Sequence, residues 1–250
     1  MIYMLYQATR ASYLAQEKNS SLGMIWHLLN PLLMTAVLFL VFGRVKFLQN
    51  IEHYQLFILT GLIHYNFFIN STARSANNFL NSRSLILNTT VPLELLVLRQ
   101  TSIEGVTLFV EVLLVLVLGM FMGVDLGSSL LLYPVIFISS LALSLGASLF
   151  LCSLVVFFSD LNYIWGVFCR LLFFLTPIFF SLDLAGEGLA RQLLELNPLT
   201  RLIGIARDVL LYGNPVSAAD MGLALIGPMI VLVFGVFVFR ATRAKIPDYV

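Results

Sequence analysis

Six long apolar runs constrain this chain more than any other feature of its sequence. They extend over residues 31–45, 54–72, 103–124, 130–158, 162–181 and 220–240. A bilayer core about 30 Å thick needs roughly 20 apolar residues per spanning helix. The composition agrees, because 60% of the residues are hydrophobic and 11% are charged, against roughly 45–50% and 25% in soluble domains. The sequence therefore predicts an all-α, polytopic membrane protein with six transmembrane helices, and it excludes a soluble globule.

Basic residues predict the orientation of these spans. An even number of spans places both termini on one side, and cytoplasmic segments carry the excess of Lys and Arg. With cytoplasmic termini, the basic residues of the inner segments are Arg10, Lys18, Arg74, Arg83, Arg99, Arg240, Arg243 and Lys245, and those of the outer segments are Arg44, Lys46, Arg191, Arg201 and Arg207. The inner excess predicts that the N and C termini both lie in the cytoplasm.

Three segments outside the spans have an amphipathic pattern. Residues 1–28 precede the first span and predict an N-terminal helix lying on the membrane surface, while residues 29–250 form the six-span domain. The inner connection 74–101 carries the cluster Leu85-Ile86-Leu87 between polar stretches, which is suited to docking on a soluble partner. The outer segment 182–219 is broken at Asn197-Pro198, which predicts two short re-entrant helices.

The chemistry of known catalytic motifs is absent from the sequence. It contains no G-x-x-x-x-G-K-[ST] loop for ATP, no H-E-x-x-H, no G-x-S-x-G and no cluster of His and carboxylates at metal-ligand spacing. Net charge is +1 with no basic tract, which argues against nucleic-acid binding. We therefore expect neither an enzyme nor a metal or cofactor site in this chain.

Three ionisable residues lie within the apolar runs and allow three interpretations. Glu104 and Glu111 are seven residues apart and share one helix face, and Arg170 lies midway along the fifth run. They line a path for a hydrophilic cargo, they form a proton relay, or they hold the helix bundle together. In the structural interpretation Glu111 pairs with Arg170, and Glu104 lies at the inner interface.

Aromatic residues are concentrated in the first, second and fifth runs. Their rings can stack on the C–H faces of sugars, which suits a sliding polymer. The alternative is an interfacial aromatic belt with ordinary packing. The candidate lining residues are Phe39, Phe42, Tyr65, Phe67, Phe68, Phe173 and Phe174, together with Glu111 and Arg170.

Short motifs in a fixed order give the chain a family resemblance. They are Leu22-Gly23, Trp26 and Asn30-Pro31 before the first span, Thr60-Gly61-Leu62-Ile63 in the second, Phe157-Phe158-Ser159-Asp160-Leu161 before the fifth, Thr176-Pro177-Ile178 late in the fifth, and Asn197-Pro198-Leu199-Thr200 with Arg207 outside. From about residue 10 to the C terminus, the chain resembles the permease subunit of ABC type-2 exporters. The branch it resembles secretes O-antigen, teichoic acid and capsular polysaccharides.

The resemblance implies a complex in the bacterial inner membrane. Two copies would form a homodimer with the polymer conduit between them, and two copies of a cytoplasmic ABC ATPase subunit would carry ATP and Mg. The coupling helix would map to residues 77–94, with Leu85, Ile86, Leu87 and Pro92 at the docking positions. The substrate would be a glycan linked to undecaprenyl diphosphate.

The sequence departs from the family where basic residues are usual. It reads Gln16-Glu17-Lys18-Asn19 before the first motif and Leu87-Asn88-Thr89 in the coupling segment, and Ser159 replaces an Arg. The remaining candidates to hold a lipid diphosphate are Arg10, Lys18 and Arg74.

Three other functions would leave different signatures. An ABC type-2 exporter of lipids or drugs would have a dry groove without a continuous channel. A secondary transporter would work without an ATPase, and usually contains repeats. A membrane-embedded glycan enzyme would turn over in purified form.

Overall fold

The structure, a computed structural model, describes residues 25–46, 48, 51–82, 86–87, 92–125, 127–158 and 160–249. The described residues form helices and turns and contain no β-strand. Most of the predicted surface helix at 1–28 lies outside the described residues, so it stays a prediction.

Nine α-helices follow one another along the described part of the chain. They are α1 (Ile25–Phe42), α2 (Tyr54–Asn81), α3 (Glu94–Phe121), α4 (Tyr133–Val155), α5 (Leu161–Phe174), α6 (Leu189–Leu196), α7 (Pro198–Arg207), α8 (Ala218–Thr242) and α9 (Ile246–Tyr249). A 3-10 turn at Ser128–Leu132 leads into α4, another lies at Leu182–Ala185, and a π-helical turn at Asp208–Tyr212 continues α7.

Four helical stretches among the described residues are long and apolar enough to cross a membrane: Ile25–Phe42, Glu94–Phe121, Ser128–Val155 and Ala218–Thr242. Helix α2 has the length but carries many polar side chains. Helix α5 has 14 residues, which span about 21 Å at 1.5 Å per residue. The polytopic membrane class is therefore supported, while the count of six spans stays a prediction.

Several helix ends differ from the predicted runs. Helix α2 continues to Asn81 rather than ending near residue 72, and α3 begins at Glu94 rather than at 103, so the inner connection is much shorter than 74–101. Helix α5 ends at Phe174, and the chain turns through Thr176-Pro177 before residue 181. A proline disfavours helical backbone in the residue before it and has no N–H to donate, so the helix stops early.

The outer segment contains two short helices that meet at the predicted proline break, while their re-entrant position in the membrane stays a prediction. Asn197 caps α7 by accepting a hydrogen bond from Leu199 N at 3.0 Å, and Pro198 follows at the first helical position. The segment ends at Gly213, whose φ of 61° lies in the left-handed region that favours glycine. Ser217 then caps α8 by accepting from Asp220 N at 3.1 Å.

Helix α2 is the centre of the bundle. It packs against α1, α3, α4, α5 and α7, and most of its residues are buried. Helices α4 and α8 form the closest pair, because Gly146 and Gly235 let the two backbones touch. By contrast α1 and α8 bury few of their own residues.

The bundle has two ends, which we name after the predicted topology. At the inner end, an apolar cluster joins the end of α2, the start of α3, the ends of α4 and α8, and α9; its members are Phe79, Ile86, Val97, Leu149, Cys152, Phe239 and Ile246. Arg243 and Glu94 form an ion pair there, 3.1 Å apart. The outer end carries the loops before α2 and α4 and the 182–217 segment.

Candidate functional site: a polar cavity and a buried arginine

Polar side chains from α1, α2 and α3 surround a cavity of about 290 Å³ toward the inner end of the bundle. We call it the inner cavity. Its lining residues are Trp26, His27, Asn30 and Pro31 from α1, Asn66, Phe67, Asn70 and Arg74 from α2, and Glu104, Thr107 and Glu111 from α3.

Helical periodicity explains why these residues meet. Asn66, Asn70 and Arg74 recur every four residues and so form a stripe along one face of α2. Glu104 and Glu111 lie seven residues apart on the facing side of α3. In an apolar bundle, polar stripes of this kind turn toward one another rather than toward lipid.

A connected set of hydrogen bonds holds one end of the inner cavity. Arg74 Nη1 donates to Glu104 Oε1 at 3.1 Å, and Gln100 Nε2 donates to the same oxygen at 2.9 Å. Asn78 Nδ2 donates to Gln100 Oε1 at 2.7 Å. Gln100 and Glu104 are almost fully buried, so this network joins α2 to α3 inside the bundle. It also compensates the negative charge of the Glu104 carboxylate.

Glu111 stands apart from this network. Glu111 is 5% exposed and lines the inner cavity, yet within the described residues it takes part in no ion pair or hydrogen bond.

The predicted pair between Glu111 and Arg170 is wrong. Arg170 is exposed on α5, where its Nε donates to Gly166 O at 3.2 Å, and α5 packs on α2 and α4 rather than on α3.

The candidate channel aromatics divide into two groups in the single chain. Tyr65, Phe67 and Phe68 are buried within the bundle, and Tyr65 Oη donates to Cys169 O at 2.5 Å. Phe39 and Phe174 are exposed. Phe42 stacks on Phe179 with ring centroids 4.7 Å apart, and the partly buried Phe173 has its ring centroid 6.0 Å from that of Phe179. Their role in lining a channel stays a prediction.

A buried arginine organises the outer end. Arg207 is 4% exposed. Each of the three nitrogen atoms of its guanidinium donates a hydrogen bond to a backbone carbonyl: Nε to Phe57 O at 3.2 Å, Nη1 to Pro177 O at 2.8 Å and Nη2 to Ile178 O at 2.7 Å. Its guanidinium carbon lies 3.4 Å from the centroid of the Phe57 ring. One side chain therefore ties α7 to α2 and to the turn after α5.

The motifs around Arg207 are far apart in sequence but adjacent in the structure. Gly61 leaves the space for the guanidinium, because a Cβ there would lie 2.6 Å from Arg207 Nη2. Asn197 Nδ2 donates to Thr176 Oγ1 at 3.0 Å. Sequence reasoning counted Arg207 as an outer basic residue and missed its burial, although its place within these motifs was a signal.

A cleft of about 660 Å³ opens beside Arg207 at the outer end. Phe57 and Pro177 give it an apolar wall, and Asp208 and Tyr212 give it polar groups. Burial raises the pKa of the Tyr212 phenol, and the nearby Arg207 guanidinium opposes part of that rise.

Three of the four predicted coupling residues are described by the structure and lie at the inner end. Ile86 is buried in the apolar cluster there, whereas Leu87 is half exposed and Pro92 is exposed. Leu85 lies outside the described residues, as do Arg10 and Lys18. Arg74, the third candidate for a lipid diphosphate, already pairs with Glu104. Among the residues that the structure describes, no three His, Cys, Asp or Glu side chains group as metal ligands.

Comparison with known proteins extends over nearly the whole chain. The family described as ABC-2 type transporter matches residues 3–211. An "O-antigen export system permease protein RfbA" from Klebsiella pneumoniae is 25% identical over 249 residues, which cover 98% of this chain and 94% of that protein. A protein of the same name from Myxococcus xanthus is 27% identical over 236 residues, which cover 94% of this chain and 90% of that protein.

The fold and its buried polar face define a multi-pass membrane protein. Because the family match covers most of its length, the chain belongs to the ABC-2 type transporter family, and it is a transport permease rather than a catalytic subunit.

Proposed function

We propose that this chain is the permease subunit of an ATP-driven exporter that moves an O-antigen-like polysaccharide, linked to undecaprenyl diphosphate, across the bacterial inner membrane. The observation that carries the proposal is the end-to-end similarity to two permeases named for O-antigen export. A separate cytoplasmic ABC ATPase, present in two copies, supplies the energy, and both termini of the permease face it.

The inner end supplies a docking surface for that ATPase. Ile86 anchors the coupling segment in the apolar cluster with Phe79 and Ile246, while Leu87 points outward with 50% of its surface exposed. Because the segment is anchored on one side and exposed on the other, it moves as a rigid body with a docked partner. This movement displaces the ends of α2 and α3.

An exposed charge on α5 supports the proposal that this helix faces a second copy of the chain and a water-filled channel between the two copies. Arg170 lies on the same exposed face as Val167, Leu171 and Phe174, and no described carboxylate pairs with it. An arginine facing lipid in the middle of an apolar segment is costly, so such residues usually face a partner or water. The α5 face therefore suits contact with a second copy and with the polymer between them.

Polymer length favours repeated small movements of the spans over a single swing, because the glycan is longer than the membrane is thick. We expect many ATPase cycles per exported chain. One cycle per full-length glycan, measured by phosphate release in reconstituted vesicles, would contradict this stepping mechanism.

The central test is deletion of the gene in a host that makes a surface glycan. We expect lipid-linked polymer to accumulate on the cytoplasmic side and to reach the surface again when the wild-type chain is restored. Normal surface glycan after deletion would contradict the proposal.

The docking surface is tested by Leu87→Asp. A charge at this exposed apolar position adds a desolvation penalty to binding, so the ATPase should no longer copurify with the permease. The matched control is Leu184→Asp, a similarly exposed leucine at the outer end, which should leave copurification unchanged.

The conduit face is tested by crosslinking in a chain whose two cysteines, Cys152 and Cys169, are replaced by Ser. Val167→Cys on α5 should give a crosslinked dimer in membranes. Val233→Cys on α8, which is at least as exposed, should not. The reverse result would place the second copy against α8.

A further inference from the structure

The inner cavity contains a buried polar group that the described chain leaves without a partner. Glu111 is 95% buried, lines the cavity and makes no hydrogen bond or ion pair with a described residue. A carboxylate that lines a cavity and has no partner in the surrounding chain is free to accept hydrogen bonds from a molecule bound there. The geometry therefore points to a ligand that hydrogen-bonds to Glu111.

The other lining groups restrict the chemistry of that ligand. Asn30, Asn66 and Asn70 each present an amide, which both donates and accepts, and Thr107 presents a hydroxyl. Trp26 and Phe67 add aromatic surface. A ligand that carries several hydroxyls around an apolar C–H face matches both kinds of group at once.

The charges of the lining disfavour an anion. Among the described residues that line it, Arg74 is the only Lys or Arg, and the Glu104 carboxylate already compensates its charge at 3.1 Å. A phosphate or a uronic acid would find no unpaired Lys or Arg among these described lining residues and would lie close to two acidic side chains.

The cavity volume of about 290 Å³ lies at the lower limit of small-molecule sites, which are roughly 300–1,000 Å³. Such a volume holds one monosaccharide ring. We propose that the inner cavity of each copy binds one uncharged sugar residue, with Glu111 accepting hydrogen bonds from its hydroxyls. The proposal rests on the proposed function, because it assigns the cavity to a unit of the exported glycan.

Trp26 allows binding to be measured directly. The chain has two tryptophans, so Trp165→Phe leaves Trp26 at the cavity as the only indole. We titrate this full-length chain, purified in nanodiscs, with D-glucose, and with D-glucuronate and KCl at matched ionic strength. Glucose should give a saturable change in Trp26 emission, and neither glucuronate nor KCl should do so.

Variants of Glu111 separate a binding role from a structural one. Glu111→Leu removes the acceptor and should weaken glucose binding about tenfold, the equivalent of one hydrogen bond. Glu111→Gln keeps an acceptor and should bind within about threefold of the parent chain. Glu187→Leu makes the same replacement in an exposed outer loop and should change nothing. Asn70→Leu repeats the test from α2 if Glu111→Leu fails to fold.

Three results would overturn the proposal: no saturable response to glucose, an equal response to glucuronate or KCl, or unchanged binding by a folded Glu111→Leu (by Asn70→Leu, where Glu111→Leu does not fold). Because this assay does not involve export, its failure leaves the deletion test of the proposed function standing. Conversely, glucose binding by a chain whose deletion leaves surface glycan intact would contradict the proposed function alone.

Discussion

Helices α2 and α8 reverse the relation between hydrophobicity and burial that holds in water-soluble proteins. Helix α8 is among the apolar candidate spans, yet only 22% of its most apolar window is buried. Helix α2 is too polar to count among those spans, yet most of its residues are buried. In a bilayer the lipid accepts apolar side chains, so the protein interior becomes the place for polar ones. The polar helix is therefore central, and the apolar helix lies at the periphery.

The largest expected effect is at the outer end of α2, where Arg207 binds the carbonyl of Phe57. Arg207→Leu leaves three buried carbonyl groups without their donor, so we expect a loss of about 3–5 kcal/mol in the free energy of unfolding. Denaturant titration of the purified chain in detergent measures it. Arg201→Leu removes a single hydrogen bond, at 3.2 Å to Glu195 O, and should lose less than about 1.5 kcal/mol. Equal losses would show that burial of Arg207 contributes nothing.

The lipid side of α8 should reject charge. Val233 is 62% exposed near the middle of the helix, so Val233→Lys should raise the free energy of membrane insertion by about 3 kcal/mol. Glycosylation-based insertion assays measure this change. Ala218→Lys, at the first residue of α8, serves as the control and should insert normally. Normal insertion of Val233→Lys would mean that this face of α8 is in contact with water.

The close contact of α8 with α4 should tolerate no added methyl group. A Cβ at Gly235 would overlap Gly146 O, whereas a Cβ at Gly222 of the same helix meets nothing within 4 Å. Gly235→Ala should therefore destabilise the chain by about 1–3 kcal/mol. Gly222→Ala should be neutral or stabilise it by up to about 1 kcal/mol. Melting temperatures in detergent distinguish the two, and equal values would contradict the contact.

The smallest effect concerns a hydroxyl inside α2. Thr60 is fully buried, and its Oγ1 has no hydrogen-bond partner among the described residues. Thr60→Val keeps the shape and removes the orphan hydroxyl, so stability should stay level or rise by up to about 1 kcal/mol. Val233→Thr on α8 makes the opposite exchange in lipid and should not stabilise. A clear loss in Thr60→Val would reveal a partner for the hydroxyl.

Part of the candidate site could be predicted from the sequence. Glu104 and Glu111, which line the inner cavity, were selected because a charge in an apolar run is conspicuous. The coupling role of Ile86 and Leu87, which the resemblance implies, stays a prediction. The role of Asn66 and Asn70 was not predicted, since an amide in a span gives a weaker signal than a charge. The burial of Arg207 was not predicted either, because Phe57, Pro177 and Ile178 are remote from it along the chain.

The sequence by itself determined the membrane class, the positions of the apolar runs and the break at Asn197-Pro198. These depend on hydropathy and on proline, which act locally along the chain. Only the tertiary structure decided that Glu104 pairs with Arg74, that Glu111 lies apart from Arg170, and that Arg207 is buried. Such pairings depend on which helix faces turn toward one another, and that choice is made by packing between segments distant in sequence rather than by any single segment.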